Sequence, residues 1–162
     1  MERIGIFYGT GKGKSELAAN LVKDYLGDCA DIYNVAQGID KLSSYDKLIL
    51  ITPTYGNGAI QLDWMRYLKD LESIDFTNKK VGIIGRGNQG FFAATYVNGM
   101  KVLYDIVTKN NGEIVGFTST EGYNFEKSVS VIDNKFIGLV LDEMFLLPET
   151  ESKIKDWLTK LW

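Results

Sequence analysis

Ile4-Gly5-Ile6-Phe7-Tyr8-Gly9-Thr10-Gly11-Lys12-Gly13-Lys14-Ser15-Glu16 passes from an apolar run through a glycine-rich turn into a helical pattern. A strand over residues 3–7 followed by a helix over residues 15–26 is the opening of a βαβ unit. The same alternation recurs downstream. Strands are expected over residues 31–35, 47–52, 80–85 and 113–118, and helices over 61–71, 95–109 and 149–161. The first, third and fourth strands are continuous apolar runs, as strands covered by helices on both faces require. Gly27 and Asn110-Asn111-Gly112 supply helix stops, and Pro148-Glu149 supplies a helix start. Residues 121–142 read as a hairpin excursion turning at Asp133-Asn134, too short to be a second domain, so residues 1–162 are expected to form one domain.

The 162 residues are 45% hydrophobic and 24% charged, the balance of a globular domain. Net charge is −3 with scattered lysines, which gives no footprint for nucleic acid. No basic, apolar and small-residue segments follow in series at the N-terminus, and no apolar stretch is long enough to span a bilayer, so a cytoplasmic location is expected. Cys29 is the single cysteine and histidine is absent. An internal disulfide, the Ser-His-Asp triad, the Cys-His pair and the usual zinc ligand are thereby excluded, and no metal site is expected. Any redox or group chemistry has to come from a bound cofactor.

Ligands of an open parallel sheet bind beyond the carboxyl ends of its strands. Three loops there are unusual. Thr10, Gly11, Lys12, Gly13, Lys14 and Ser15 form a turn whose backbone N–H groups, hydroxyls and helix N-terminus suit a phosphate. Its alternative role is a tight turn with Ser15 as the helix N-cap. It is no P-loop, because the leading glycine of GxxxxGK[ST] falls on Tyr8. Gly85-Arg86-Gly87-Asn88-Gln89-Gly90 matches GxGxxG, but the acidic residue required about 20 positions on has only Asp105, inside a helix. Pro53, Thr54, Tyr55, Gly56, Asn57 and Gly58 put an aromatic at a loop tip facing Phe91-Phe92, an arrangement that can sandwich a flat ring. Trp157, Leu158, Leu161 and Trp162 share one helical face and are expected to dock the last helix, and Met144-Phe145-Leu146-Leu147 is expected in the core.

These segments resemble one family. Residues 7–16, Thr52-Pro53-Thr54-Tyr55 with Gln61-Leu62-Asp63-Trp64, residues 85–90 and residues 116–126, continuing through Lys135-Phe136-Ile137-Gly138-Leu139 to Leu141-Asp142-Glu143, are similar to long-chain flavodoxins almost from end to end. The resemblance implies a flavodoxin-like three-layer α/β/α sandwich: a five-stranded parallel sheet in the order 2-1-3-4-5 with a long-chain insertion in the last strand region. It further implies FMN with its phosphate on Thr10 to Ser15, its ring between Tyr55 and Phe92, and its polar edge on backbone from Pro53 to Gly58 and from Gly85, Arg86, Gly87 and Asn88. The chain departs from the family pattern at Lys12, Tyr55, Asn88 and Phe92, where threonine, tryptophan, aspartate and tyrosine are common.

A carrier of this kind has no catalytic residues. Its implied function is low-potential one-electron transfer between a flavodoxin reductase and electron-accepting redox enzymes, as a monomer meeting transient partners. Neutral Asn88 and cationic Lys12 are expected to ease the second one-electron step. Two alternatives stand beside it: an NAD(P)H-dependent quinone or metal-ion reductase of the same fold, and an interaction module that keeps the fold without a cofactor.

Overall fold

The computed structural model of the chain describes residues 2–10, 13–55 and 58–162. Strands β1 (Ile4–Tyr8), β2 (Ala30–Asn34), β3 (Lys47–Tyr55) and β5 (Lys80–Gly87) pair in parallel in the order β2-β1-β3-β5, and β4 (Ala59–Ile60) folds back antiparallel on the end of β3. The outer edge of β5 is covered in two pieces. β6 (Glu113–Val115) pairs with residues 80–82, and β10 (Leu139–Asp142) pairs with residues 84–87. The expected order 2-1-3-4-5 is therefore present, with the fifth place shared by two short strands.

Between those two pieces the chain makes a small antiparallel sheet, β7 (Thr118–Ser119), β9 (Lys135–Phe136) and β8 (Val131–Ile132). The expected hairpin turn is there: Asp133 and Asn134 both have positive φ, 52° and 66°, the combination a two-residue turn needs. The expected fifth strand over residues 113–118 stops at Val115. Gly116 takes a φ of 82°, and Thr118 joins the small sheet, where its hydroxyl donates to the Gly138 carbonyl.

Alternation along each strand sorts the core. Phe7, Leu48, Leu50, Val81, Ile83 and Val140 face α2 (Leu62–Arg66), α3 (Leu68–Glu72) and α4 (Gly99–Lys109), which contribute Trp64, Leu71, Met100, Leu103 and Val107. Ile4, Ile6, Ile49, Ile51, Ile84, Leu139 and Leu141 face α1 (Lys14–Leu26) and α5 (Leu147–Lys160), which contribute Ala18, Ala19, Val22, Ile154, Trp157 and Leu158. Burial on both faces is why the strands read as unbroken apolar runs.

Three expectations are corrected here. The helix over 61–71 is two short helices broken at Tyr67, whose φ of −109° and ψ of 12° leave the helical region. The helix over 95–109 begins only at Gly99, because Val97 has a φ of 47° and the inserted segment captures the preceding carbonyls: Ser128 Oγ donates to Tyr96 O and Ser130 Oγ to Val97 O. Trp162 and the 144–147 stretch are not core: Trp162 lies under Lys47 Nζ at 5.3 Å, and Met144, Leu146 and Leu147 are exposed. Trp157, Leu158 and Leu161 do dock the last helix. No helix among the described residues is long and apolar enough to cross a membrane.

Gly138 marks the return of the chain to the sheet, where a Cβ would overlap the Ile83 carbonyl oxygen of β5. Backbone cannot yield as a side chain can, so Gly138→Ala should lower stability by about 2–3 kcal/mol in denaturant titration; a loss near zero would show that this strand end is loosely held.

Candidate functional site

At the carboxyl end of β1, Thr10 Oγ1 accepts from the Gly13 N–H at 2.8 Å and closes the glycine-rich turn. Gly13 is the N-cap of α1 with a φ of 81°, a conformation that suits glycine, and no side chain caps the helix. The first-turn N–H groups of Lys14, Ser15 and Glu16 have no carbonyl behind them by helix geometry, and the positive end of the helix dipole adds to them. The N-cap is thus Gly13 and not Ser15, which corrects that part of the alternative role of this turn. Its side chain is buried, and its hydroxyl has no partner. Gly11 and Lys12 lie outside the described residues.

Thr10, Lys14, Ser15, Pro53, Tyr55, Arg86 and Glu143 line one cleft, so residues from three of the predicted segments do converge. Pro53 sits opposite Arg86 in the β3–β5 register. Pro53, Thr54 and Tyr55, expected in a loop, are the end of β3, because Ala59–Ile60 folds back to pair with Thr54 and Tyr55. Thr54 Oγ1 accepts from the Gly99 N–H at 2.9 Å, which ties this strand end to the start of α4, and Gly58 follows with a φ of 95°. Gly56 and Asn57 lie outside the described residues. Arg86 is 7% exposed, and burial pulls its guanidinium below the ordinary pKa while the charges of Glu143 and Asp142 act the other way. Among the described residues, Ser15 Oγ and Arg86 Nε are the two buried side-chain polar atoms without a hydrogen-bond partner.

Part of the expected second loop is strand instead. Gly85, Arg86 and Gly87 belong to β5, because β10 extends the ladder on that side; Gly85 packs against Met100, and Gly87 against Tyr96 and Val97. The GxGxxG match is thus not a dinucleotide turn. The loop proper begins at Asn88, whose Oδ1 accepts from the N–H groups of Gly90 (3.0 Å) and Phe91 (2.9 Å). It presents Phe91, 83% exposed, and Phe92, 40% exposed, at its tip.

Sequence reading missed what fixes this loop. Asp142, fully buried at the end of β10, accepts from the Gln89 N–H (2.8 Å), the Met144 N–H (2.9 Å) and the Tyr96 hydroxyl (2.9 Å). Burial, then the Asp142 charge, holds the Tyr96 phenol well above its usual pKa, so it stays a donor. Glu143 accepts from Asn88 Nδ2 at 3.4 Å and lies 3.8 Å from Lys14 Nζ. A signal existed: Ile137-Gly138-Leu139-Val140-Leu141 is a buried-strand pattern ending on two acids.

A parallel sheet with an uncapped, glycine-led helix N-terminus, an orphaned serine and aromatic loop tips at its carboxyl edge defines a phosphate-bearing cofactor binder. Known proteins narrow that class. The Flavodoxin family model matches residues 6–118. The flavodoxin of Helicobacter pylori is 36% identical, with 99% of this chain and 97% of that one covered, and a Nostoc flavodoxin is 35% identical, with 99% and 95% covered. A crystal structure of Fusobacterium nucleatum flavodoxin bound to flavin mononucleotide is 42% identical and superposes with a TM-score of 0.94 over 98% of this chain and 96% of that one. The chain belongs to the flavodoxin family.

Asn88→Asp keeps the oxygen that caps the turn, but it replaces the amide facing Glu143 with a second carboxylate. We expect a loss of about 1–2 kcal/mol near neutral pH that fades as pH falls through the raised folded pKa and is gone by about pH 4, because like charges raise the introduced group's folded pKa and protonation relieves the repulsion. Equal stability of the two proteins in urea at pH 7 would contradict this.

Proposed function

We propose that this single-domain flavodoxin binds FMN and works as a low-potential one-electron carrier. The observation that carries the reading is the buried, unpartnered Ser15 hydroxyl beneath the uncapped N-terminus of α1. Neither group has a partner among the described residues, and both are donors suited to a phosphate. Thr10 to Ser15 hold the phosphate. Tyr55 and Phe92 enclose the ring and exclude water from its faces, while backbone from Pro53 to Gly58 and around Asn88 meets its polar edge. Bound FMN supplies the one- and two-electron chemistry that the side chains lack.

The protein sets the cost of adding negative charge to the ring. Fewer waters and nearby acids raise that cost, and neutral or cationic groups lower it. Asn88 and Lys12 act in the second sense, whereas Glu143 on the cleft wall acts in the first. Exposed Phe91, Met144, Leu146 and Leu147 flank the loops that carry Asn88 and Glu143. They offer apolar contact for transient docking of a flavodoxin reductase and of electron-accepting enzymes, and the net charge of −3 favours basic partner surfaces. The protein acts as a cytoplasmic monomer, away from nucleic acid and membrane.

The test is reduction of the FMN-loaded protein under anaerobic conditions. NADPH alone should leave it oxidised, and a catalytic amount of a flavodoxin reductase should reduce it fully. Steady NAD(P)H oxidation by the chain alone would instead show an enzyme, and failure to take up FMN would show an empty fold.

A further inference from the structure

We propose that the Arg86 guanidinium is a direct ligand of the cofactor's phosphate, reaching it from beneath the N-terminus of α1; this rests on the reading of the cleft as an FMN site. Residues alternate along β5, so Arg86 points to the same side as Gly82 and Ile84, the side covered by α1 and α5. Its neighbours in register are Pro53 on β3 and Leu141 on β10. The pattern Ile84, Leu139, Leu141 calls for another apolar residue at this position. A cation stands there instead.

That cation is poorly served by the protein. Arg86 is 7% exposed; among the described residues its Nε has no partner, and its one hydrogen bond runs from Nη1 to the Lys14 carbonyl at a long 3.5 Å. No carboxylate among the described residues lies within ion-pair distance of it. Glu143, the acid on the same cleft, is turned to Asn88 and Lys14. The nearby charges of Glu143 and Asp142 offset the burial of Arg86 only at a distance, and a buried cation without a direct ion pair is costly to hold and calls for an anion. The Lys14 contact places the guanidinium at the first residue of α1, beside Ser15, whose hydroxyl is the other orphan of the cleft. A phosphate set on the helix N-terminus would be within the reach of both, and the guanidinium fork matches phosphate oxygens.

Riboflavin, which has the ring but no phosphate, separates this role from any other. Dissociation constants for FMN and riboflavin, read from flavin fluorescence with the apoprotein, should show Arg86→Met weakening FMN by about 30-fold or more and riboflavin by less than about 3-fold. Arg86→Lys should recover part of the loss. In phosphate-free buffer the Arg86→Met apoprotein should melt no lower than the parent, since an unpaired buried charge has been removed, and inorganic phosphate should raise the parent's melting temperature more than the variant's. Equal weakening of both flavins would assign Arg86 to the ring or to the fold and overturn the proposal, as would an unchanged ratio. A parent protein that binds neither flavin would overturn the FMN reading itself.

Discussion

β5 has two edges and both must be paired, yet the chain that pairs with its outer edge departs at Val115 and returns only at Leu139. Everything at the carboxyl end of the sheet depends on how that return is secured. Gly138 brings the backbone close against Ile83, and β10 then completes the ladder through Gly87. Asp142 closes the junction. Its buried carboxylate gathers the Gln89 and Met144 N–H groups and the Tyr96 hydroxyl, so the loop after β5, the turn after β10 and the approach to α4 are fixed by one residue. Three charge-assisted hydrogen bonds offset the burial of the carboxylate.

The inserted segment does more than bridge the gap. Its residues 127–130 bond to residues 96–98: the Tyr96 N–H donates to Lys127 O, and the Val129 N–H donates to the Asn98 side chain at Oδ1. Val97, a β-branched residue at positive φ, is held there by the Ser130 hydroxyl. Such a conformation costs on the order of 1–3 kcal/mol and persists only where its surroundings determine it. α4 then starts at Gly99, whose N–H donates to Thr54 Oγ1 near the end of β3. The insertion and the ligand loops are therefore mechanically one system, although they are far apart in the chain.

Much of this was legible in the sequence. The parallel strands announced themselves because burial on two faces leaves continuous apolar runs, and the glycine-led start of α1 did so because Gly9 to Ser15 combines glycines with a helix start. What stayed hidden follows from non-local pairing. Whether Gly85 to Gly87 are loop or strand depends on β10, which lies more than fifty residues away in the chain, and no local pattern records that partner. The role of Asp142 has no local signal, because its three donors come from segments that meet only in the fold. The start of α4 was misplaced for the same reason: residues 95–98 carry an acceptable helical pattern, and tertiary hydrogen bonds override it. Arg86 was visible as a residue of a glycine-rich motif, but its side chain's destination required the register of β5.

On the proposed function, the carboxyl edge of the sheet holds FMN with its phosphate at the start of α1. A crystal structure of the complex tests it most directly. Phosphate oxygens should lie within hydrogen-bond distance of the first-turn N–H groups of α1, Ser15 Oγ and the Arg86 guanidinium, with the ring between Tyr55 and Phe92. A flavin seated instead in the cavity between Gly116–Tyr123 and α5, which Lys153 and Trp157 line, would contradict it.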